Sequence, residues 1–488
     1  MREEYDVVII GAGIGGLTCG SLLAKEGLKI LVVEQASKPG GYATSYKKNG
    51  FTFDSCVHFL GGCGGKGIIR KLITNLETEE EIKFIEVQSP MGVILDNKKI
   101  SLPVKDPREL EKILQRLFPQ EAPQIPKYFQ ILRRITKEIL DLVSPSFFKF
   151  LLFPIRYPHL IRYQKSTLKD LLDKYFTDPK LKNILSIAPT TLPPSKISLF
   201  FMAIVTTQGQ EGFYYPQGGI QSFSNTLVKG LKKHRGELLL DTLVSKILVE
   251  KKRVCGVELT SGRRIGTKYV VSNTTLEQTF NRLVGSENLP DKYMRRIKNQ
   301  KVSLPGFILH IATDLDLKSL RLSFTNAILP SDLEKEFAAL NNNQMPDESS
   351  LIITIPSLVD STLAPEGKHI LSIVAPAPYS YDWQNKKEEV AKRIIKQAEK
   401  AIPNLSRHII YQNISTPLTL EKYTLNTKGA MYGLQVTPEQ FGINRISQKT
   451  PVKGLYLVGH YTRPAHGVVG VAMSGQFAAQ AVLHSRES

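Results

Sequence analysis

The chain is short of cysteine, tryptophan and acidic residues. Its 488 residues include four cysteines (Cys19, Cys56, Cys63 and Cys255) and one tryptophan, Trp383. The cysteines have neither metal-ligand spacing nor the pattern of a disulfide framework, so no zinc or other metal site is expected and a reducing compartment fits. Cys19 falls inside a helical pattern and is expected in the core. Acidic residues number 45 against 64 lysines and arginines, a formal net charge of +19. No repeat, low-complexity tract or basic tail accounts for that excess, and no nucleic-acid-binding motif accompanies it, so nucleic acid is not an expected partner. No Ser-His-Asp pattern is present. An uncharged stretch, residues 7–24, is interrupted by five glycines and has Glu3, Glu4 and Asp6 in front of it, which argues against a signal peptide or a membrane span. Hydrophobic residues make up 42%, too many for a disordered chain, and the length suffices for two domains or one large composite.

The N-terminus carries the strongest signal. An apolar run at residues 5–10 breaks into Gly11-Ala12-Gly13-Ile14-Gly15-Gly16, a helical pattern covers 17–26, and a second apolar run, 29–33, ends at Glu34. Strand, glycine turn, helix, strand and acid, in that order, hold an ADP-containing cofactor. Gly11 allows the tight turn, Gly13 lets backbone approach a pyrophosphate, and Gly16 lets the helix pack on the strand. The helix start offers free N–H groups and its positive dipole end to the phosphates. Glu34, about 23 positions past Gly11, is placed to accept from ribose hydroxyls and favours FAD or NAD over NADP.

Further along, residues 61–67 read Gly-Gly-Cys-Gly-Gly-Lys-Gly. A second G-x-G-x-x-G spacing runs from Gly62 to Gly67, but Gly67 stands where a Walker loop requires Ser or Thr, and a flexible loop is expected. Residues from about 80 to 205 read as mixed but largely helical, with amphipathic patterns at 108–118 and 165–176. Within this block, residues 147–165 interleave Phe147, Phe148, Phe150, Phe153, Tyr157 and Tyr163 with Lys149, Arg156, Arg162 and Lys165, with no acid. Pro154 and Pro158 break the segment well below the ~20 residues of a spanning helix. Such a segment suits the headgroup layer of an anionic membrane; the alternative is a buried hairpin with snorkelling lysines. Tyr214-Tyr215-Pro216-Gln217-Gly218-Gly219 precedes a helix marked by Ile220, Phe223, Leu227 and Leu231. Strands are expected at 244–250, 253–260 and 267–272, with turns at Lys251-Lys252 and Ser261-Gly262. Strands at 307–313, 351–356 and 369–375 follow, then a helix with Asn385 as N-cap and Trp383 in the loop before it. At the C-terminus come a strand at 454–458, a loop at 459–467, and a helix of small residues from Val468 to 483 that lets backbone approach a flat ligand.

Together these motifs resemble the FAD-dependent family of phytoene desaturases, carotenoid isomerases and retinol saturases. The likeness rests on GAGIGGL with Glu34; Pro39-Gly40-Gly41-Tyr42-Ala43-Thr44 leading to Gly50-Phe51-Thr52-Phe53-Asp54; Tyr215-Pro216-Gln217-Gly218-Gly219; and residues 454–459 with the helix beyond. Residues 53–58, and 416–419 through 429–433, look most like the saturase and isomerase branch. The resemblance implies an α/β architecture in which a Rossmann-like FAD-binding domain is assembled from discontinuous segments, with an α+β substrate domain built from two insertions. The expected boundaries are 1–80, 208–290 and 451–488 for the FAD domain, 81–207 for a mainly helical, membrane-facing insertion, and 291–450 for the substrate-domain sheet and helices.

The resemblance also implies site residues: Gly11, Ala12, Gly13, Ile14, Gly15, Gly16, Glu34, Gln35, Gly40, Gly41, Val244, Gly459, His460, Val468 and Val469 around FAD. His58, His466 and Tyr432 are the candidate catalytic groups if an intermediate needs a titratable partner. Many such flavoproteins carry an acid after the glycine of the C-terminal strand; here His460 stands there, able to donate to a phosphate, which would favour its charged form. The implied activity is hydride transfer at the flavin to or from a long apolar polyene, by desaturation, saturation or isomerisation. A quinone or other electron acceptor, an apolar small-molecule substrate and an anionic membrane surface are the implied partners, and the expected location is cytoplasmic with reversible membrane contact. Two rivals share the scaffold: an amine oxidase, which needs an aromatic cage, and a non-catalytic prenyl-lipid-binding protein like the Rab GDP-dissociation inhibitors.

Overall fold

A computed structural model describes residues 4–143, 153–187 and 192–487. Chain order begins with β1 (Glu4–Ile10), α1 (Ile14–Lys25) and β2 (Ile30–Val33), then a hairpin, β3 (Ser45–Lys48) and β4 (Phe51–Asp54). Three strands follow: β5 (Phe84–Glu86), β6 (Met91–Leu95) and β7 (Lys98–Leu102). Helices between 107 and 208 lead to β8 (Tyr214–Pro216), the helix Gln221–Lys233 and β9 (Glu237–Leu239). Then come β10 (Val244–Glu250), β11 (Arg253–Leu259), β12 (Arg264–Ser272), β13 (Gly306–Thr313), β14 (Thr325–Ile328), β15 (Leu351–Thr354), β16 (His369–Pro376), β17 (Ile409–Ser415), β18 (Leu455–Leu457) and the C-terminal helix Val468–Glu487.

Two seven-stranded sheets organise the chain. In the first, β1 lies between β2 and β12, parallel to both, with Val8 opposite Leu31 and Val270. β9 and β18 extend this parallel core, and β10 and β11 add antiparallel strands at one edge. Central parallel strands are covered on both faces, which is why β1 and β2 read as continuous apolar runs rather than alternating ones. Lys251 and Lys252, both at positive φ, make the two-residue turn that a right-twisted hairpin favours. α1 crosses the sheet at close range: a Cβ on Gly16 would lie 2.2 Å from the Gly11 carbonyl oxygen. The C-terminal helix packs on α1 in the same way, a Cβ on Gly475 falling 2.7 Å from the Gly15 carbonyl oxygen.

The second sheet runs β17-β13-β16-β15-β14-β6-β7, with only β14 and β6 parallel. All eight residues of β13 are buried. Phe307, Leu309 and Ile311 pack with Trp383, Val390 and Ile394, whereas Ala312 joins Phe51 and Phe53 on the other face.

Several local expectations change. Residues 84–102 form three strands where the pattern reads largely helical; β6 and β7 are short and half-covered, so their alternation is weak over five residues each. Asp382, not Asn385, caps the helix Trp383–Ala398, accepting from Asn385 N at 3.3 Å, and Trp383 opens that helix, stacked on Phe307 in the core. α1 begins at Ile14 rather than 17, because the glycines form its first turn. Cys19 is buried, as its helical position requires. The glycine loop at 61–67 is pinned rather than loose: Gly62 O accepts from Ile69 N and Arg70 N at 2.9 and 3.1 Å, and Gly67 starts the helix Ile68–Asn75. Of the aromatic basic segment, residues 147–152 lie outside the described residues. Its remainder forms two short helices, Phe153–Arg156 and Pro158–Tyr163, with Pro158 in the first turn, where its missing N–H costs nothing. Tyr157, Leu160 and Tyr163 are buried there, while Ile155 is 80% exposed.

Candidate functional site

The carboxyl ends of β1, β2, β12 and β18 open into a cavity of about 670 Å³ that extends to the face of the second sheet. This is where an open parallel sheet binds its ligand. Gly13 caps α1 without a side-chain hydrogen bond, which leaves the first amides of the helix turned toward the cavity. Across from it Gly41, at φ +59°, brings its backbone close to Gly13, where a Cβ would stand in ordinary contact with Gly13 Cα at 3.5 Å, and a Cβ on Gly13 itself would fall 2.7 Å from Asn273 Nδ2. Glu34 closes this end. Its Oε2 accepts from Ala12 N at 2.7 Å and its Oε1 from Ala36 N at 2.9 Å. Burial pushes its carboxyl above the ordinary range, and the amides of Ala36 and Ala12 pull it back.

The predicted cofactor residues divide into two sets. Gly11, Gly13, Ile14, Gly15, Glu34, Gln35, Gly40, Gly41, Val244, Gly459, His460 and Val468 line the cavity. Ala12, Gly16 and Val469 do not: Ala12 binds Glu34 through its amide, Gly16 serves helix packing, and Val469 lies near Gly61 and Gly62. Asn273, which sequence reasoning missed, also lines the cavity, immediately after the last residue of β12, and its Nδ2 donates to Gly11 O at 3.3 Å. A polar residue at the carboxyl end of a parallel strand is the signal that would have found it.

The histidines behave differently from expectation. His460 lines the cavity, but burial, reinforced by the Arg445 charge, drives its pKa down to about 3, and its Nε2 lies 3.0 Å from Asn426 Oδ1. Burial and Arg445 thus favour the neutral ring, against the charged contact to a phosphate that the sequence suggested. Of the candidate catalytic groups only Tyr432 lines the cavity; burial raises its phenol to about 12. His466 packs between the Tyr432 and Phe201 rings at 4.6 and 4.8 Å, and burial holds it well below the ordinary value. His58 is buried with both ring nitrogens unpartnered and its pKa lowered to about 3. None of the three is poised to exchange a proton near neutrality.

Arg445 was also missed. Fully buried, it donates only to backbone carbonyls: Thr462 O at 2.8 Å, Gln435 O at 3.2 Å, Gln440 O at 3.3 Å, Leu434 O at 3.4 Å, and His460 O. This guanidinium staples the segment carrying Tyr432 to the loop carrying His460. Nothing in the sequence pattern distinguishes it from surface arginines.

The glycine-lined end of the cavity, the uncapped helix start and the buried acid fit an elongated dinucleotide, and a bound flavin supplies a ring that takes up or releases hydride. Fold and site together define a flavin-dependent oxidoreductase. Residues 14–483 match the family of flavin containing amine oxidoreductases, and the chain belongs to that family. It is 30% identical over 509 residues to the chloroplastic prolycopene isomerase of Daucus carota, covering 98% of this chain and 80% of that protein. To the all-trans-retinol 13,14-reductase of Rattus norvegicus it is 25% identical, over 99% of this chain and 86% of that protein. A solved oxidoreductase from Methanosarcina mazei shares the fold, with a TM-score of 0.69 at 18% identity, covering 99% of this chain and 100% of that one.

Proposed function

We propose that the protein is an FAD-dependent oxidoreductase acting on a long apolar polyene or isoprenoid of the carotenoid or retinoid kind. The observation that carries this reading is the charge distribution of the cavity. Among the described residues Glu34 and Lys38 are its only charged lining side chains, the Lys38 ammonium donating to Ser45 O at 3.2 Å, and burial holds the two lining histidines low, His310 at about 4 and His460 at about 3. A substrate that carries charge would be left there without a counter-ion, whereas an apolar chain loses nothing on entering. The Cys56 thiol and the Tyr432 phenol, both pushed up to about 12 by burial, stay protonated. The wall therefore offers shape, dryness and position rather than acid–base chemistry, which suits a C–H bond held beside a hydride acceptor. The identity of the carrot and rat relatives supports a polyene over an amine. So does the placement of Trp383, which is locked against Phe307 and forms no cage at the cavity.

A reversible contact with an anionic membrane is part of the same proposal. Leu140, Leu142, Ile155 and Ile161 are large exposed apolar side chains on adjoining helices, and Arg156, tied to Asp141 at 2.9 Å, lies among them. Among the described residues no helix is long and apolar enough to cross a membrane.

Anaerobic incubation of the flavin-loaded protein with a panel of polyenes, with and without a quinone, followed by product analysis, tests the reading. Loss, gain or isomerisation of one double bond is expected. Oxidation of amines with peroxide release and no polyene conversion would sink it. Flotation with vesicles is expected to favour anionic lipid, and charge reversal at Arg156 and Arg162 to abolish that preference.

A further inference from the structure

The second-sheet wall of the cavity carries a polar platform that a pure hydrocarbon would leave unused. His310 on β13 and Asn413 on β17 are direct cross-strand partners, so their side chains leave the sheet on one face, and both line the cavity. Tyr46, also a lining residue, joins them: Asn413 Nδ2 donates to its hydroxyl oxygen at 3.1 Å, and its ring meets His310 edge-on at 5.5 Å. His310 is 1% exposed, and neither ring nitrogen has a hydrogen-bond partner. The backbone of Asp54 and Ser55 lies beside the ring and partly opposes the effect of burial on it. A buried imidazole without a partner is costly, and such groups in folded proteins call for one.

We infer that His310, Asn413 and Tyr46 form a subsite for a single uncharged oxygen function, a hydroxyl or carbonyl, on an otherwise apolar substrate. Each of the three is neutral at physiological pH, so the subsite has no means of neutralising a carboxylate or phosphate, and a neutral imidazole both donates and accepts. Burial, with His310 a lesser cause, likewise holds His58 below its ordinary value. The inference rests on the polyene reading and narrows it: an alcohol or ketone would be bound in preference to the hydrocarbon of equal length.

The test compares affinities of the flavin-loaded protein for a C20 polyene alcohol and its matched hydrocarbon, both supplied in the same detergent and read by ligand fluorescence. The alcohol is expected to bind about tenfold more tightly, the ratio given by one satisfied hydrogen bond at 1.4 kcal/mol. His310→Phe is expected to bring that ratio close to one while hydrocarbon affinity and flavin content hold. Tyr46→Phe, which keeps the ring and removes only the hydroxyl, is expected to reduce the ratio without loss of fold. Equal binding of both ligands to the unmodified protein overturns the subsite and leaves the polyene reading intact. Failure of both ligands to bind overturns the two together.

Discussion

Asp54 and Tyr215, 161 positions apart, meet at 2.6 Å, the phenol donating to Oδ2 of the carboxylate. Oδ1 of the same carboxylate accepts from Ser45 Oγ at 2.7 Å and from Ile220 N at 2.8 Å. Two of the four motifs that carry the family likeness, the one ending in Phe53-Asp54 and the one beginning with Tyr215, are thus a single buried network. It fixes the β3–β4 hairpin, which leads to the cavity, onto the start of the helix Gln221–Lys233. Tyr215→Phe deprives a fully buried oxygen of its donor and is expected to destabilise the fold by about 2 kcal/mol in urea melts. A loss below about 0.5 kcal/mol, the range of an ordinary surface change, would show that the network carries little.

Glu34 lines the cavity and holds two backbone amides. Glu34→Gln keeps the shape but can offer an oxygen to only one of Ala12 N and Ala36 N. The affinity of the apoprotein for FAD, followed by quenching of flavin fluorescence, is expected to fall about tenfold or more, equivalent to about 1.4 kcal/mol. Unchanged affinity would mean that the carboxylate serves only the turn.

The two glycine motifs make opposite predictions. A Cβ on Gly16 meets the Gly11 carbonyl oxygen, which belongs to backbone that has no free direction to move, so Gly16→Ala is expected to cost more than about 2 kcal/mol and to lose bound flavin. A Cβ on Gly65, in the second motif, meets nothing within 4 Å. Gly65→Ala is expected to keep stability within about 0.5 kcal/mol and flavin content at the unmodified level, as befits a loop that holds no nucleotide. Flavin lost from the Gly65 variant would reinstate the second motif as a site.

Glu336 sets a pH dependence far from the cavity. It is buried, accepts from Ser350 N at 2.6 Å and from the Ser350 hydroxyl, and desolvation raises its pKa from 4.5 to about 7. Between those pH values the folded chain holds a proton that the unfolded chain has released, so stability falls as pH rises through that window. The contribution is on the order of 3 kcal/mol, fully present below pH 4.5 and lost above about 7. Glu336→Gln is expected to flatten the difference between melts at pH 5 and pH 7.5. An equal slope in both proteins would assign the dependence to other groups.

Parts of this molecule are legible in sequence because their causes are local. The β1–α1–β2 unit, the meander from Val244 to Ser272, and the C-terminal strand and helix each announce themselves through apolar runs, turn residues and glycines within a few positions of one another. So does the acid at Glu34, whose distance from Gly11 is set by one helix and one strand. Chain order alone determined that a dinucleotide cradle exists and which residues form its glycine side.

The remainder depends on contacts across long stretches of chain, whose closure leaves no periodic trace. β6 and β7 enter the second sheet only because β14, more than 200 residues later, pairs with β6. His310 and Asn413 become neighbours through strand register, and Arg445 becomes a staple because five carbonyl oxygens converge on it. Protonation was decided there too. A histidine letter says nothing of its charge, whereas burial of His58 and His466 and the partly buried place of His460 beside Arg445 favour the neutral ring, because a low-dielectric interior penalises the charged form.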